Sequence, residues 1–250
     1  MTTSKVMLVT GGSRGIGAAV SLLAAQRGYA VCINYRRRAD EANAVVQAIR
    51  AQGGQAIAVA ADVAHEAEVE RLFQAVDREF GRLDALVNNA GVLDVQCRVE
   101  DMSAERVARI MATNVTGLLV CCREAVRRMA RRHGGNGGAI VNVSSAAARL
   151  GSPNEYVDYA ASKGAVDTLT LGLSKEVAGD GIRVNAVRPG FIYTDMHADG
   201  GEPGRVDRLA PSIPLGRGGT VEEVAGAILW LLSDEAGYTT GSFIEVAGGR

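Results

Sequence analysis

Tyr159-Ala-Ala-Ser-Lys163 sets a phenol and an ammonium at i and i+4, one turn apart on the same face of a helix. A tyrosine ordinarily has a pKa of about 10 and is a poor proton donor or acceptor near neutrality. A cation beside it favours the phenolate and brings the group toward acid/base work. Taken alone, the pair is an ordinary amphipathic surface feature. It gains weight from Asn142-Val-Ser144-Ser145, where a hydroxyl follows an apolar run, and from the glycine cluster Thr10-Gly11-Gly12-Ser13-Arg14-Gly15-Ile16-Gly17. Together they suit proton transfer at a carbonyl or alcohol oxygen beside a bound nucleotide.

The glycines at 11, 15 and 17 follow a G-x3-G-x-G spacing rather than the commoner G-x-G-x-x-G. The physics is shared: a tight turn lets backbone amides and a helix N-terminus approach a pyrophosphate. Gly11, Ser13, Arg14, Gly15, Ile16 and Gly17 are the candidate cofactor contacts of this loop. No Lys-Ser/Thr follows the last glycine, so a Walker-type loop is excluded. At the end of the second apolar run, the place of an acid that would hold ribose hydroxyls is taken by Asn34-Tyr35-Arg36-Arg37-Arg38. A guanidinium there suits a 2′-phosphate. Tyr35 and Arg36, with Arg14, therefore point to NADP(H) in preference to NAD(H). Asp62-Val63 and Asn88-Asn89-Ala90-Gly91 follow the next two apolar runs, and Asp62, Val63, Asn89, Ala90 and Gly91 join the same cleft.

The elements that must position these residues alternate. Strands are expected at 6–10, 30–34, 56–60, 85–87, 139–143, 183–187 and 243–246. Helices are expected at 15–27, 39–52, 66–80, 103–132, 156–178 and 220–232. Most of the runs are apolar throughout rather than alternating, which suits parallel strands covered on both faces. The pattern predicts one α/β domain over residues 1–250, a Rossmann-type doubly wound parallel sheet of about seven strands with helices on both faces. Residues 194–219 hold three of the five prolines and six glycines, and read as a mobile lid over the substrate. Substrate contacts are expected there and in residues 150–157.

Composition narrows the function classes. The net charge of −1 offers no field for nucleic acid or an anionic membrane, and 4% aromatic content leaves few stacking platforms. Cys32, Cys97, Cys121 and Cys122 make no C-x-x-C pair and no metal-like spacing with the histidines. They read as reduced thiols, and the cytoplasm is the expected location, with no leader or membrane span. His65, His133 and His197 read as exposed side chains, and no G-x-S-x-G elbow suggests a hydrolase. Arg127, Arg128, Arg131 and Arg132 read as a solvated helix C-terminus, in preference to a dock for a carrier protein.

The order of the glycine loop, Asn88–Gly91, Ser145 and Tyr159-x3-Lys163 resembles the short-chain dehydrogenase/reductase family over nearly the whole chain. The chain is most similar to bacterial uncharacterised oxidoreductases near the 3-oxoacyl-carrier-protein reductases and glucose dehydrogenases. The resemblance implies that Tyr159 is the acid/base, that Lys163 lowers its pKa and holds the nicotinamide ribose, and that Ser145 holds the substrate oxygen. It implies that Asn114 relays protons through water and that Pro189, Gly190, Ile192 and Thr194 flank the nicotinamide. It also implies a homotetramer acting on a small carbonyl or alcohol, with 3-oxoacyl-thioester reduction or a non-catalytic dinucleotide sensor as the alternatives. The Ser145–Tyr159 interval is one residue longer than in many relatives. Tyr156 is a competing tyrosine, but Ala160 stands where its lysine would be.

Overall fold

The computed structural model describes residues 4–250. Seven parallel strands, β1 (Val6–Val9), β2 (Ala30–Tyr35), β3 (Ala56–Ala60), β4 (Ala85–Asn88), β5 (Gly138–Val143), β6 (Ile182–Pro189) and β7 (Phe243–Val246), form one sheet. Their order is β3-β2-β1-β4-β5-β6-β7. The direction of winding reverses between β1 and β4, which opens a crevice at the C-terminal strand ends. The expected doubly wound sheet is the observed one.

Two apolar layers cover the sheet. One face packs Val20, Ala24, Val45, Ile49, Ile228 and Leu232 from α1 (Gly15–Gln26), α2 (Ala39–Ala51) and α10 (Val221–Leu232). The other packs Leu72, Phe73, Cys121, Met129, Val166 and Val177 from α3 (Glu66–Phe80), α5 (Leu118–Met129) and α7 (Val157–Val177). Both strand faces are therefore buried, which is why these runs lack alternation.

Two expectations change. The helix expected at 103–132 is divided into α4 (Ala104–Met111), a π-helical turn over Ala112–Gly117, and α5. Gly117 passes so close to α3's approach that a Cβ would lie 2.5 Å from the Val63 carbonyl oxygen. Within the turn, Asn114 is directed back into the protein, where its amide bonds three partners. Residues 194–219 are not a bare loop. They carry α8 (Met196–Asp199), α9 (Arg205–Leu209) and a 3-10 turn, and are anchored by Tyr156 donating to the Gly200 carbonyl at 3.2 Å. The short α6 (Ala147–Leu150) lies between β5 and α7. No helix among the described residues is long and apolar enough to cross a membrane.

Candidate active site

The glycine loop between β1 and α1 is built by three polar side chains from neighbouring strand ends. Asn34 accepts from the Gly11 amide at 3.2 Å and donates to the Ala61 carbonyl at 2.9 Å. Asn89 donates to the carbonyls of Thr10 and Gly11 at 3.0 and 2.9 Å. The Thr10 hydroxyl accepts from the amides of Asn89 and Ala90, each at 3.0 Å. Gly11 and Gly15 have φ of +61° and +54°, in the left-handed region that glycine adopts without strain. A Cβ on Gly17 would lie 2.3 Å from the Gly11 carbonyl oxygen, so Gly17 serves close packing and does not line the cleft.

A cavity of about 540 Å³ follows this loop along the strand ends. Gly11, Ser13, Arg14, Gly15, Ile16, Arg36, Asp62, Val63, Asn89, Ala90 and Gly91 line it as expected, and Arg37 and Arg38 join them. Tyr35 does not: side chains alternate along β2, and the ring packs against the helix-covered core while Asn34 faces the cleft. The cavity fits a dinucleotide phosphate by its donors. The first-turn amides of α1 have no intrahelical acceptor. Arg14 Nη1 is buried without a hydrogen-bond partner, with Asp195 at 3.6 Å, and its Nη2 engages Asp199. Arg36 stands 3.6 Å from Asp62.

A second cavity of about 460 Å³ shares Ile16, Asn89, Gly91, Leu93, Thr194 and Met196 with the first. Tyr159, Lys163, Ser145, Pro189, Gly190 and Ile192 line it, as do Leu150, Phe191, His197 and Leu209. The Tyr159 hydroxyl hydrogen-bonds Ser145, whose oxygen also accepts from the Ala147 amide at 3.1 Å. Both serines line the cavity, but the Ser144 hydroxyl donates to Asp167 at 2.6 Å, whereas that of Ser145 meets Tyr159. Lys163 is buried and donates to the Val143 carbonyl at 2.7 Å, its Nζ 5.6 Å from the Tyr159 ring centroid.

Burial dominates the electrostatics of the pair. It pushes Tyr159 up to about 12, and the Ser145 hydrogen bond opposes that rise. The Lys163 ammonium is bonded to the Val143 carbonyl and lies against the phenol ring. Burial also brings Lys163 down to about 8, against the pull of Asp167.

Asn114 is fully buried and lines neither cavity. Its oxygen accepts from the Val92 amide at 2.8 Å, and its nitrogen donates to the Val92 carbonyl and Ser162 at 2.9 and 3.0 Å. With its side-chain oxygen and nitrogen so engaged, it braces the loop after β4 against α7. Tyr156 also lines the second cavity, but it is buried against the 194–219 segment with its hydroxyl donated to the Gly200 carbonyl. His197, expected to be exposed, is half-buried, bonds the Ile192 carbonyl at 3.0 Å, and has its pKa lowered by burial. Its only sequence signal was proximity to Thr194. Cys32, Cys121 and Cys122 are buried free thiols with burial-raised pKa values. Most of the arginine run is neutralised: Arg128 pairs with Asp77 and Glu124, Arg127 with Glu124, and Arg132 with Asp180.

The chain is similar to known proteins in sequence and in fold. A sequence-family model described as enoyl-(acyl carrier protein) reductase matches residues 11–250. The uncharacterized oxidoreductase YgfF of Escherichia coli K12 is 62% identical over 245 residues, 98% of this chain and 99% of that protein. A 3-oxoacyl-[acyl-carrier-protein] reductase of Synechocystis is 41% identical over 252 residues, 99% of this chain and 97% of that one. A short chain dehydrogenase from Burkholderia cenocepacia, solved in complex with NADP, superposes with a TM-score of 0.89 at 34% identity, covering 98% of this chain and 97% of that one. With likeness of sequence and fold running the length of the molecule, the chain belongs to the short-chain dehydrogenase/reductase family of NAD(P)-dependent oxidoreductases.

Proposed function

We propose that the protein is an NADP(H)-dependent carbonyl reductase, or alcohol dehydrogenase in reverse, with Tyr159 as its acid/base. The observation that carries this reading is the Tyr159–Ser145 hydrogen bond in the second cavity, which adjoins the first, with Lys163 against the same ring. When bound, the cofactor supplies the hydride and, oxidised, a positive ring that favours phenolate. Ser145 holds the substrate oxygen, and Tyr159 gives it a proton or removes one. Lys163 stabilises the phenolate charge that develops as the proton leaves and, by the family resemblance, holds the ribose. Pro189, Gly190, Ile192 and Thr194 form the wall at the nicotinamide end, and residues 194–219 cover the substrate as a lid. NADP(H) is preferred because Arg14 and Arg36–Arg38 face the adenosine end without a strand-end acid at position 35 or 36.

The test is a panel of ketones, 3-oxoacyl thioesters, sugars and alcohols with NADPH and NADH in parallel. Turnover with NADPH is expected. Tight NADPH binding with no turnover across the panel would favour a sensor. The related 3-oxoacyl reductase favours a thioester substrate as the second reading. Against carrier-protein docking on Arg127–Arg132 stands their engagement with acids of the same chain.

The pH dependence follows from Lys163. Its ammonium is lost as pH rises through about 8, and the developing phenolate then loses its nearest cation. Carbonyl reduction is expected to hold steady below that pH and fall above it; a profile flat to pH 10 would remove Lys163 from proton transfer.

A homotetramer is proposed as the assembly. Val107, Leu119 and Leu171 are exposed on α4, α5 and α7, and Trp230 and Tyr238 near the β7 edge. Covering such patches and an open strand edge suits two separate two-fold interfaces. Light scattering at the mass of a monomer, 26.1 kDa, would count against it.

A further inference from the structure

Arg106 and Asp158 form a buried ion pair directly behind Tyr159. Their side chains are only 9% and 2% exposed, and Arg106 Nε donates to Asp158 Oδ2 at 2.6 Å. Asp158 Oδ1 accepts from the backbone amide of Tyr159 at 2.8 Å. The same guanidinium donates through Nη1 to the Val95 carbonyl at 2.6 Å. One side chain thus joins α4, the 92–98 loop and the first turn of α7. That loop carries Leu93, which lines both cavities, and Arg109 engages Asp94 one residue further along. On the far side, the segment leading into α7 turns through Ser152 and Asn154, with φ of 44° and 62°.

Buried ion pairs are weak contributors to stability, because desolvation offsets much of the attraction. Their use is geometric, and this one acts on the residue that must meet the substrate oxygen. We infer that Arg106 is a positioning residue for the reaction: through Asp158 it clamps the first turn of α7 and fixes the Tyr159 hydroxyl against Ser145. The inference rests on the acid/base role proposed for Tyr159. Misplacing a catalytic group by about 1 Å costs on the order of a hundredfold in rate.

The charged and titratable surroundings make the test specific. Asp158 meets Arg106, with the Cys97 thiol and Tyr156 phenol beside that guanidinium. Tyr159 meets Ser145 and Lys163, with Asp167 acting on the lysine. Arg106→Met leaves the buried Asp158 carboxylate without its counter-ion one residue from Tyr159, bonded to the Tyr159 backbone amide, and that uncompensated charge opposes phenolate. Asp158→Asn keeps an acceptor for the Tyr159 amide and leaves an unpaired guanidinium, which favours phenolate.

The experiment is alcohol oxidation across pH, with the best alcohol found for the wild type, on Arg106→Met, Asp158→Asn, the double variant and Arg106→Lys. Arg106→Met is expected to lose about ten- to hundredfold in kcat, with NADP affinity within about twofold of wild type. Its acidic limb moves up by about one pH unit and that of Asp158→Asn moves down by a similar amount. The double variant returns the limb to the wild-type position but keeps the low kcat, and Arg106→Lys regains part of it. Limbs fixed at the wild-type pH in both single variants, with only a lower Tm, would overturn the inference. Should Arg106→Met fail to fold, an unmoved limb in Asp158→Asn overturns it by itself. If the wild type turns over no substrate, the proposed function falls, and amide exchange still decides the clamp. Tyr159 is then expected to exchange at least about tenfold faster in Arg106→Lys relative to the rest of α7; uniform exchange along the helix overturns it.

Discussion

Tyr159→Phe is expected to lower kcat by about 10²–10⁴-fold while leaving NADPH affinity within about threefold of wild type. The variant removes one oxygen, the atom that bonds Ser145, and keeps the ring that packs beside Lys163. The cofactor cleft is built by the glycine loop, Asn34, Asn89 and Thr10, whose hydrogen bonds join one another and neighbouring strand ends. Binding and chemistry should therefore separate. NADPH titration followed by cofactor fluorescence gives the first quantity, and steady-state turnover of the best substrate gives the second. Activity within tenfold of wild type would remove Tyr159 from the reaction. Loss of NADPH binding in parallel would show that the phenol serves the cleft instead.

Replacing Arg36 by Asp is expected to reverse cofactor preference, moving the NADPH-to-NADH ratio of kcat/KM by about ten- to hundredfold. That range corresponds to one hydrogen bond to a charged group, about 1.5–3 kcal/mol. Arg36 lies in the cleft at the end of β2 and is held only loosely, 3.6 Å from Asp62. A 2′-phosphate would offer it a better partner. An aspartate at 36 would repel that phosphate and accept from ribose hydroxyls. Arg14 makes the effect incomplete, since its guanidinium faces the same cleft while engaged by Asp195 and Asp199. Parallel kinetics with the two cofactors measure the ratio, and an unchanged ratio would refute the phosphate contact.

Much of this architecture can be read without coordinates, for a local reason. Apolar runs bounded by glycine, and helices ending at Gly28, Gly81 and Gly179, are written within a few residues, and the strand–helix alternation they imply is the alternation observed. The failures share the opposite character. Residues 103–132 carry continuous helical periodicity, and nothing local announces that Asn114 will turn inward to Val92 and Ser162. Proline and glycine over 194–219 suggest a long connection, yet α8 and α9 form there, anchored from outside by Tyr156 to the Gly200 carbonyl and by Glu155 to Arg205. Tyr35 was placed by its neighbours in sequence, while the pleat of β2 decides which side chain faces the cleft.

By itself, then, the sequence determined the family, the parallel α/β sheet, and the i, i+4 pairing of Tyr159 with Lys163, because periodicity and short motifs carry that information. Only the tertiary structure decided the rest: that the Ser144 hydroxyl turns to Asp167, that burial raises the pKa of Tyr159 and lowers that of Lys163, and that Arg14 engages Asp195 and Asp199. It alone brought Arg106 to Asp158 across 52 residues. Each of these depends on which side chains share one desolvated space, and packing sets that where sequence distance does not.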